Sequence, residues 1–319
     1  MATPLVQQNF QKLLEPGLRS LFHSELDAQA EYFMRTKLFG VETSQRAWEE
    51  HHSIGALDAA NGWDIKKSGT LQYDDLGSGY SPIFRHRPFA KGMMIERELI
   101  DDNLYPGAKL PRTITERPER LARAAELFRE LVAADMFNGA FTDTGVGVGG
   151  FSYTGIDGVG LCSTAHKFSA SSSTYSNEGT TAFSKAALTA TRLAGRSMVD
   201  ARGQLSVVNY DTLIIPPELE EDAEVVTGSA LDPTSANNAI NTTGKRVKQT
   251  IVWDYLTSAT SWFLGAGRML KDELVWYDRI MPEFAGAGDF DTMMAKFRVY
   301  MRFSRGWRDP RVIYGQKPV

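Results

Sequence analysis

The chain contains 319 residues, of which 42% are hydrophobic and 23% are charged, and its formal net charge at pH 7 is −4. This length can form one elaborated unit or two domains, and the composition is that of a globular protein and excludes overall disorder. The mild acidity argues against a dedicated nucleic-acid binder, because affinity for phosphate comes mainly from clustered Lys and Arg side chains.

The first 90 residues divide into two segments of different character. Residues 1–52 carry helical patterns around residues 6–14 and 25–37, and they predict an N-terminal arm with short helices. Residues 53–90 are dense in Gly, Ser and Asp between short β-prone pieces, which predicts an extended β-hairpin. Because an isolated two-stranded hairpin is marginally stable in water, we expect it to lie on a neighbouring subunit, with a flexible surface loop as the alternative.

A long amphipathic helix is predicted over residues 116–138, after a strand within residues 92–100. Thr115 is placed to cap the N-terminus of this helix, and Gly139 to end it in the left-handed conformation. At 1.5 Å per residue the helix would be about 33 Å long. Its apolar stripe comprises Leu121, Ala124, Ala125, Phe128, Leu131, Val132 and Met136.

The middle of the chain alternates loops with short elements. Residues 143–178 form a loop rich in Gly and Ser, and a second helix is predicted over residues 184–200. Residues 212–215 predict a buried strand, which two prolines end before a short helix with an acidic start. Residues 232–245 form a polar loop, and a second apolar, β-prone stretch follows it.

The C-terminal segment alternates strictly between apolar and polar residues, which predicts a half-buried strand. The apolar face comprises Phe297, Val299, Met301 and Phe303, and the outer face comprises Lys296, Arg298, Tyr300, Arg302 and Ser304. Helices and strands interleave along the chain without a regular βαβ rhythm. The sequence therefore predicts an α+β fold.

A glycine cluster follows the long helix. Gly145, Gly147 and Gly150 match the GxGxxG spacing of dinucleotide-binding proteins, but that motif requires a preceding strand and a following helix. Here a helix precedes the cluster. We therefore interpret Gly145, Gly147, Gly149 and Gly150 as a hinge between the helix and the segment that follows.

Enzymatic or metal chemistry finds little support. Ser163 and His166 could act as nucleophile and base of a hydrolase, yet no GxSxG elbow surrounds the serine, and a structural histidine is the simpler interpretation. Cys162 is the only cysteine, which leaves no thiolate cluster for zinc. No apolar run approaches the ~18 residues of a membrane span, and no secretory signal is evident. We expect no catalytic, cofactor or metal site, no membrane contact and a cytosolic origin.

Arginines are concentrated near the C-terminus and at the end of the predicted hairpin. Their planar guanidinium groups suit carboxylates at protein interfaces, and we favour ion pairs between subunits over contact with DNA phosphates. The candidates for inter-subunit contact are Arg85, Arg87, Arg298, Arg302, Arg305, Arg308 and Arg311.

The segment GLCSTAHKFSASSSTYSNEG, residues 160–179, resembles a phrase found in the major head subunits of tailed phages. Downstream, TLIIPPELEEDA, WFLGAG and FRVYMRFSRGWRDPRVIYG follow in the order those subunits have. The resemblance covers roughly residues 90–319, and the chain is similar to Mu-like prophage major head subunits. The matching positions in the first segment are Leu161, Ser163, Thr164, His166, Asn177 and Gly179.

The resemblance implies a capsid fold of the Hong Kong 97 type. It places an N-terminal arm at residues 1–52, an extended hairpin loop at 53–90, and a peripheral domain with its spine helix at 91–142. An axial domain would occupy residues 143–290, with a central loop at 232–245. Residues 291–319 would complete the core with a C-terminal strand region.

The resemblance also implies function and partners. We expect a structural protein that assembles as pentamers and hexamers into an icosahedral phage head around double-stranded DNA, which it contacts without sequence specificity. Expected partners are a separate scaffolding protein, a portal and, in some heads, a decoration protein. Assembly is expected in the host cytoplasm, and the final location is the virion. The shell of an encapsulin-type compartment is one alternative, and a soluble hydrolase using Ser163 and His166 is another.

Overall fold

A computed structural model of the chain describes residues 7–30, 33–53, 55, 57–58, 63, 73–75, 79–96, 98, 112–168, 173–229, 231, 240–289 and 294–318. Two larger sheets organise these residues, one of four strands and one of five. Helices interleave with the strands along the chain, so the predicted α+β class is confirmed.

The four-stranded sheet is built on a long antiparallel ribbon of β11 (Leu274–Asp289) and β12 (Met294–Trp307). Strand β4 (Arg87–Glu96) pairs with β12 on one side, and β1 (Gly40–Thr43) runs parallel to β11 on the other. The alternation predicted for the C-terminal strand is confirmed. All four residues of its apolar face are buried: Phe297, Val299, Met301 and Phe303.

Two details of the sheet differ from the prediction. Ser304 was expected on the exposed face, but it is buried, and its hydroxyl is satisfied there by Nδ1 of the buried His86 at 2.9 Å. Strand β4 begins at Arg87, so the last residues of the predicted hairpin belong to this sheet.

The spine helix α3 spans Arg112–Asn138, four residues longer at its N-terminus than predicted, and is about 40 Å long at 1.5 Å per residue. Thr115 therefore lies inside the helix, and its predicted capping role is wrong. Most of the expected apolar stripe is buried or half-buried, but Leu131 is exposed.

The N-terminal segment is part of the folded core. A single helix, α1 (Gln7–Ala30), replaces the short helices that the sequence predicted for an arm. Leu18, Phe22 and Leu26 recur at four-residue steps, so they share one helix face, and all three are buried. Arg123 of the spine helix donates to Glu25 at 2.6 Å. A short helix, α2 (Arg35–Leu38), follows.

The five-stranded sheet lies beyond the C-terminal end of the spine helix. Its strand order is β7 (Glu178–Gly179), β13 (Ile313–Gln316), β10 (Trp262–Gly265), β8 (Thr212–Ile215) and β9 (Gln249–Val252). The predicted strand at residues 212–215 is confirmed and entirely buried.

Two helices cover one face of this sheet. Helix α4 (Lys185–Arg196) begins where predicted, because the Ser184 hydroxyl accepts a hydrogen bond from the Ala187 amide. It ends at Arg196, four residues earlier than predicted. Helix α5 (Glu220–Gly228) follows a 3-10 turn over Pro217–Leu219. The predicted acidic helix after the two prolines is therefore confirmed.

The two faces of the five-stranded sheet join different hydrophobic cores. Leu213 and Ile215 of β8 face the core beneath α4 and α5. Ile214 between them faces the larger core, which includes Phe137 and Met136 of the spine helix. One strand thus links both cores through the alternation of its side chains.

The predicted hairpin is described at its base. Strand β2 (Trp48–Glu50) pairs antiparallel with β3 (Ile83–Arg85), so the two ends of the intervening segment lie side by side. Most of residues 54–78 lie outside the described residues, as do residues 232–239 of the predicted central loop. The remaining elements are the small ribbon of β5 (His166–Lys167) and β6 (Thr174–Tyr175), the helix α6 (Gly267–Glu273), and 3-10 turns at Val148–Gly150 and Pro310–Val312.

Candidate assembly surfaces

A chain of buried ion pairs connects the spine helix to its neighbours. Arg129 donates to Glu126 at 2.5 Å and to both carboxylate oxygens of Asp278 on β11 at 2.6 and 2.7 Å. Arg35 of α2 donates to the other oxygen of Glu126 at 3.1 Å. All four side chains are almost fully buried, so the loss of any one would leave an uncompensated charge in the core.

Glu130 extends this connection to a second set of partners. Its carboxylate accepts from the backbone amides of Met34 and Arg35, at 2.9 and 3.1 Å, and from the indole Nε1 of Trp253 at 2.7 Å. Burial raises the pKa of Glu130, and these three donors oppose the rise. Glu130 of the spine helix therefore binds both the N-terminal segment and the residue that follows β9.

The glycine cluster after the spine helix is held by Asp135. Its carboxylate accepts from the Tyr153 hydroxyl at 2.7 Å and the Val148 amide at 2.9 Å, and it pairs with Arg305 at 2.9 Å. A Cβ atom at Gly147 would lie 1.9 Å from this carboxylate, so only glycine fits there. The cluster thus forms a tight turn against the helix.

Burial and neighbouring charges shift the pKa values of two side chains that contact this turn. Burial lowers the pKa of Arg305 to about 10, and its partner Asp135 opposes that change. Burial raises the pKa of Tyr153 to about 12, with a further contribution from its hydrogen bond to Asp135. Gly145, Gly149 and Gly150 have positive φ angles of 104°, 74° and 73°, a region that favours glycine.

Asn177 explains why the segment at residues 160–179 has its particular pattern. The side-chain amide of this buried residue donates to the carbonyls of Leu161, Pro310 and Ile313 at 2.9 to 3.1 Å. Its oxygen accepts from the Ser163 amide at 2.8 Å. One side chain therefore joins the start of the segment to the C-terminal strand.

The segment predicted as a hairpin, residues 53–90, carries large apolar side chains that the described part of this chain leaves in solvent. Trp63 is 77% exposed, Tyr73 is 90% exposed and Leu57 is 50% exposed. The contact of the hairpin with the rest of the chain includes an exposed ion pair of 2.7 Å between Asp74 and Arg202. Exposed ion pairs contribute little, so such a pair holds the hairpin only weakly.

The seven candidate interface arginines fall into three groups. Arg85, Arg87 and Arg298 are exposed, and Arg302 is half-buried with a long hydrogen bond of 3.4 Å to the His86 carbonyl. Neither Arg85 nor Arg298 has an ion pair within the part of the chain that the structure describes. Arg87 contacts the carbonyl of Gly150. Their role at an interface stays a prediction.

The other three arginines have partners within the chain. Arg305, predicted as a residue for inter-subunit contact, is instead buried and pairs with Asp135 of its own chain. Arg308 pairs with Glu42 at 2.9 Å and donates to the Tyr277 hydroxyl at 2.6 Å. Arg311 forms a two-pronged contact with Asp309 at 2.6 to 3.0 Å. The sequence pattern did not distinguish these internal pairs from surface charges.

Comparison with known protein families gives a match over residues 84–315, well over half of the chain, to the family described as phage capsid protein. The chain belongs to the phage capsid protein family. A search of curated proteins finds no match.

Solved capsid structures share the fold of this capsid protein at low sequence identity. The mature capsid of bacteriophage PhiM1 has a TM-score of 0.52 and 11% identity, covering 90% of this chain and 87% of that one. The capsid of an empty GTA particle has a TM-score of 0.51 and 10% identity, covering 89% of each chain. The predicted Hong Kong 97-type fold and the resemblance to tailed-phage head subunits are confirmed. The similarity to Mu-like prophage head subunits stays a prediction.

A third structure is not a phage head by its description. The virus-like particle from Pyrococcus furiosus has a TM-score of 0.50 and 12% identity, and the match covers 95% of this chain and 99% of that one. At such identity the likeness concerns the fold alone. The fold is thus common to several kinds of protein shell.

The geometry at Ser163 and His166 does not suit a hydrolase. Nδ1 of the buried His166 lies 2.5 Å from Asp157, but Nε2 has no hydrogen-bond partner among the described residues. The Ser163 hydroxyl instead accepts from the Ala165 amide at 3.3 Å, and Ser163 is also buried. A nucleophile needs its base within hydrogen-bond reach, so this capsid protein has no catalytic pair here.

Other kinds of site find no support in the described residues. No group of three or more His, Cys, Asp and Glu side chains there could hold a metal ion. None of the described helices is long and apolar enough to cross a membrane. Burial raises the pKa of the Cys162 thiol, which disfavours the reactive thiolate.

Sequence reasoning missed the most exposed large apolar residues among those that the structure describes. Trp63 and Tyr73 stand in a segment of Gly, Ser and Asp, where large aromatic side chains are out of place in a solvated loop. That contrast was visible in the sequence. The partners of the buried charged residues of the spine helix were not, because Asp278, which pairs with Arg129, and Trp253, which donates to Glu130, are distant along the chain.

Proposed function

We propose that this chain is the major capsid protein of a tailed phage and that it assembles as pentamers and hexamers into an icosahedral head around double-stranded DNA. Membership of the phage capsid protein family and the Hong Kong 97-type fold support this proposal. The role is structural rather than enzymatic, and the site of action is the virion after assembly in the host cytoplasm.

The observation that carries the proposal is the exposure of Trp63 and Tyr73 on the hairpin. Burying two aromatic side chains is worth several kcal/mol at about 25 cal/mol per Å² of apolar surface, and a monomer forgoes that gain. A neighbouring subunit offers the surface on which they become buried. Many modest contacts of this kind add up in a closed shell, because each further contact is effectively intramolecular.

Exposed arginines supply a polar complement to the hairpin contact. Arg85 lies on β3 at the hairpin base, and Arg298 lies on the exposed face of β12. Together with Arg87 and Arg302 they are available to carboxylates of adjacent subunits. Packaged DNA is contacted without sequence specificity, in keeping with the mild net negative charge.

The partners follow from the proposed role. Shell subunits of this fold need help to close with the right curvature, and we expect a separate scaffolding protein to provide it. A portal occupies one vertex of such a head, and a decoration protein binds outside in some heads. These partners are part of the proposal, and co-purification with the particle is the experiment that would identify them.

The glycine cluster remains a proposed hinge between the spine helix and the axial domain. Gly145 is the position to test, because its φ is 104° and the nearest atom to an added Cβ lies at 3.8 Å. Gly145→Ala thus restricts the backbone without a collision. If shells made from this variant expand as wild-type shells do, the hinge proposal is contradicted.

An encapsulin-type compartment is the second candidate, since the virus-like particle from Pyrococcus furiosus has the same fold. The two candidates differ in content, because a phage head encloses nucleic acid and a compartment shell encloses protein. Nuclease-protected DNA in particles purified from infected or induced cells supports the head. Particles filled with one enzyme and lacking DNA support the compartment.

The hairpin contact is tested with Trp63→Ser combined with Tyr73→Ser. We expect this variant to remain folded by circular dichroism and to lose shell formation in sedimentation, because the apolar anchor is gone. Met281→Ser on β11, which removes another exposed apolar side chain, serves as a control outside the hairpin. Shells formed as readily by the double variant as by the wild type would contradict the proposal for the hairpin.

A further inference from the structure

The exposed face of helix α4 has no partner within the described chain. Ala186, Ala190 and Leu193 lie on this face at three- and four-residue steps, and Leu193 is 58% exposed. The opposite face is buried against the five-stranded sheet through Ala187 and Leu188. The helix therefore presents an apolar strip to solvent.

Basic side chains border this strip. Arg192 lies on α4 and donates to the Tyr210 carbonyl at 3.3 Å, Arg196 is the last residue of the helix, and Arg246 follows in the turn before β9. None of the three has an ion pair in the part of the chain that the structure describes. Burial lowers the pKa of Arg192, and repulsion from Arg246 and Arg196 lowers it further. Both other arginines thus repel Arg192, and the attraction of Asp211 offsets this repulsion only in part.

A helix of opposite charge lies on the same face of the same sheet. Five acids occupy α5 and the turn before it, and all are exposed: Glu218, Glu220, Glu221, Asp222 and Glu224. None has an ion pair among the described residues. Val225 of the same helix is 53% exposed, so this surface also combines charge with apolar area.

The strand β8 separates the two charged groups. The basic group lies at its N-terminal end, where Tyr210 precedes the strand and β9 begins in parallel beside it. The acids are concentrated at its C-terminal end, where Pro216 and Pro217 lead into α5. Each surface therefore lacks a counterpart among the described residues of its own chain, while another copy of the chain supplies it.

We propose that the α4 face, formed by Ala190, Leu193, Arg192, Arg196 and Arg246, binds the acidic start of α5 of a second copy of this chain. The contact is head-to-tail, because two different surfaces meet, and repetition of such a contact closes a ring when the rotation allows. Complementary charges also speed the encounter and select the register. This inference rests on the proposed function and names the contact that joins subunits within one ring.

Charge reversal tests the contact. One variant combines Arg196→Glu with Arg246→Glu, and a second combines Glu220→Lys with Glu221→Lys. We expect each to lower the assembled fraction by about tenfold or more, since like charges at an interface cost more than 1.4 kcal/mol. A third variant with all four changes regains wild-type assembly. Arg268→Glu with Lys271→Glu on α6 reverses two exposed charges away from the contact and leaves assembly unchanged.

An equal mixture of the two reversed variants provides a second measurement. In the mixture each basic surface meets an acidic one when the variants alternate, so six-membered rings form and five-membered rings do not. Two results would overturn the inference. One is wild-type assembly by both reversed variants. The other is failure to assemble by both the variant with all four changes and the mixture. A wild-type chain that never assembles would instead overturn the proposed function.

Discussion

At Asn177 a single amide group makes four hydrogen bonds that close the fold around the C-terminal strand. An aspartate has the same shape but cannot donate, so it would leave the carbonyls of Leu161, Pro310 and Ile313 without their donor. The sequence pattern identified this residue as part of a family phrase. Its physical role required the tertiary structure, because two of the carbonyls are more than 130 residues away.

We predict that Asn177→Asp lowers the free energy of unfolding by about 3 to 5 kcal/mol, because a buried charge replaces a donor. Denaturant unfolding of the variant measures the loss. Asn209→Ala, at an exposed position, is the matched control and is expected to change stability by less than about 0.5 kcal/mol. A value for Asn177→Asp close to that of the control would refute the role of the amide.

Glu273 gives a prediction for pH dependence. Burial raises its pKa to about 7, Asp309 adds to the rise, and Arg308 and Arg311 oppose it. The folded state therefore holds a proton that the unfolded state releases near pH 4.5, so stability falls as the pH rises from about 4.5 to 7. Glu273→Gln is neutral throughout and avoids this fall. We expect the variant to gain about 1 to 2 kcal/mol on the wild type across this window, after allowance for partial exposure.

Thermal or denaturant unfolding of both proteins at several pH values measures the difference. Parallel stability curves for the wild type and the glutamine variant between pH 4.5 and 7 would show that Glu273 does not keep its proton in the folded state.

At the scale of elements, helix α1 is where the sequence-based prediction departed furthest from the structure. Its apolar residues Leu18, Phe22 and Leu26 follow a four-residue spacing that was present in the sequence. Pro16 and Gly17 interrupt the pattern and favour a break between two short helices. Packing on the spine helix and on β11 outweighs that local preference, and one continuous helix results.

We predict that Phe22→Ala lowers the free energy of unfolding by about 3 to 5 kcal/mol, the usual cost of truncating a fully buried phenylalanine. Its ring lies 5.3 Å from the ring of Phe284 on β11. Asp27→Ala on the exposed face of the same helix is the control. An arm that does not pack on the core would tolerate both substitutions equally well.

The spine helix illustrates the other limit of sequence patterns. The apolar stripe predicted where this helix lies in the sequence and which of its faces is buried. The same pattern assigns charged residues to the solvent side, yet Glu126, Arg129 and Glu130 are buried. Periodicity treats each charged residue as exposed unless a partner is known. Those partners lie on α2, on β11 and at Trp253, and only the tertiary fold brings them together.

For the whole molecule, the ordered set of segments from residue 160 to 315 was sufficient to predict the family and the fold. That success rested on resemblance, since composition and periodicity alone reached no further than α+β. The surfaces that contact other subunits were harder to predict. A sequence shows which side chains are charged or apolar, but exposure separates Arg298 from Arg305 and identifies Trp63 and Tyr73 as unburied.

The central claim is that this chain is a shell subunit, and electron microscopy of the purified chain, produced with and without the proposed scaffolding protein, tests it most directly. We predict icosahedral shells in the presence of the scaffold, or free pentamers and hexamers in its absence, with sedimentation in agreement. A stable monomer or small dimer under both conditions would contradict the account.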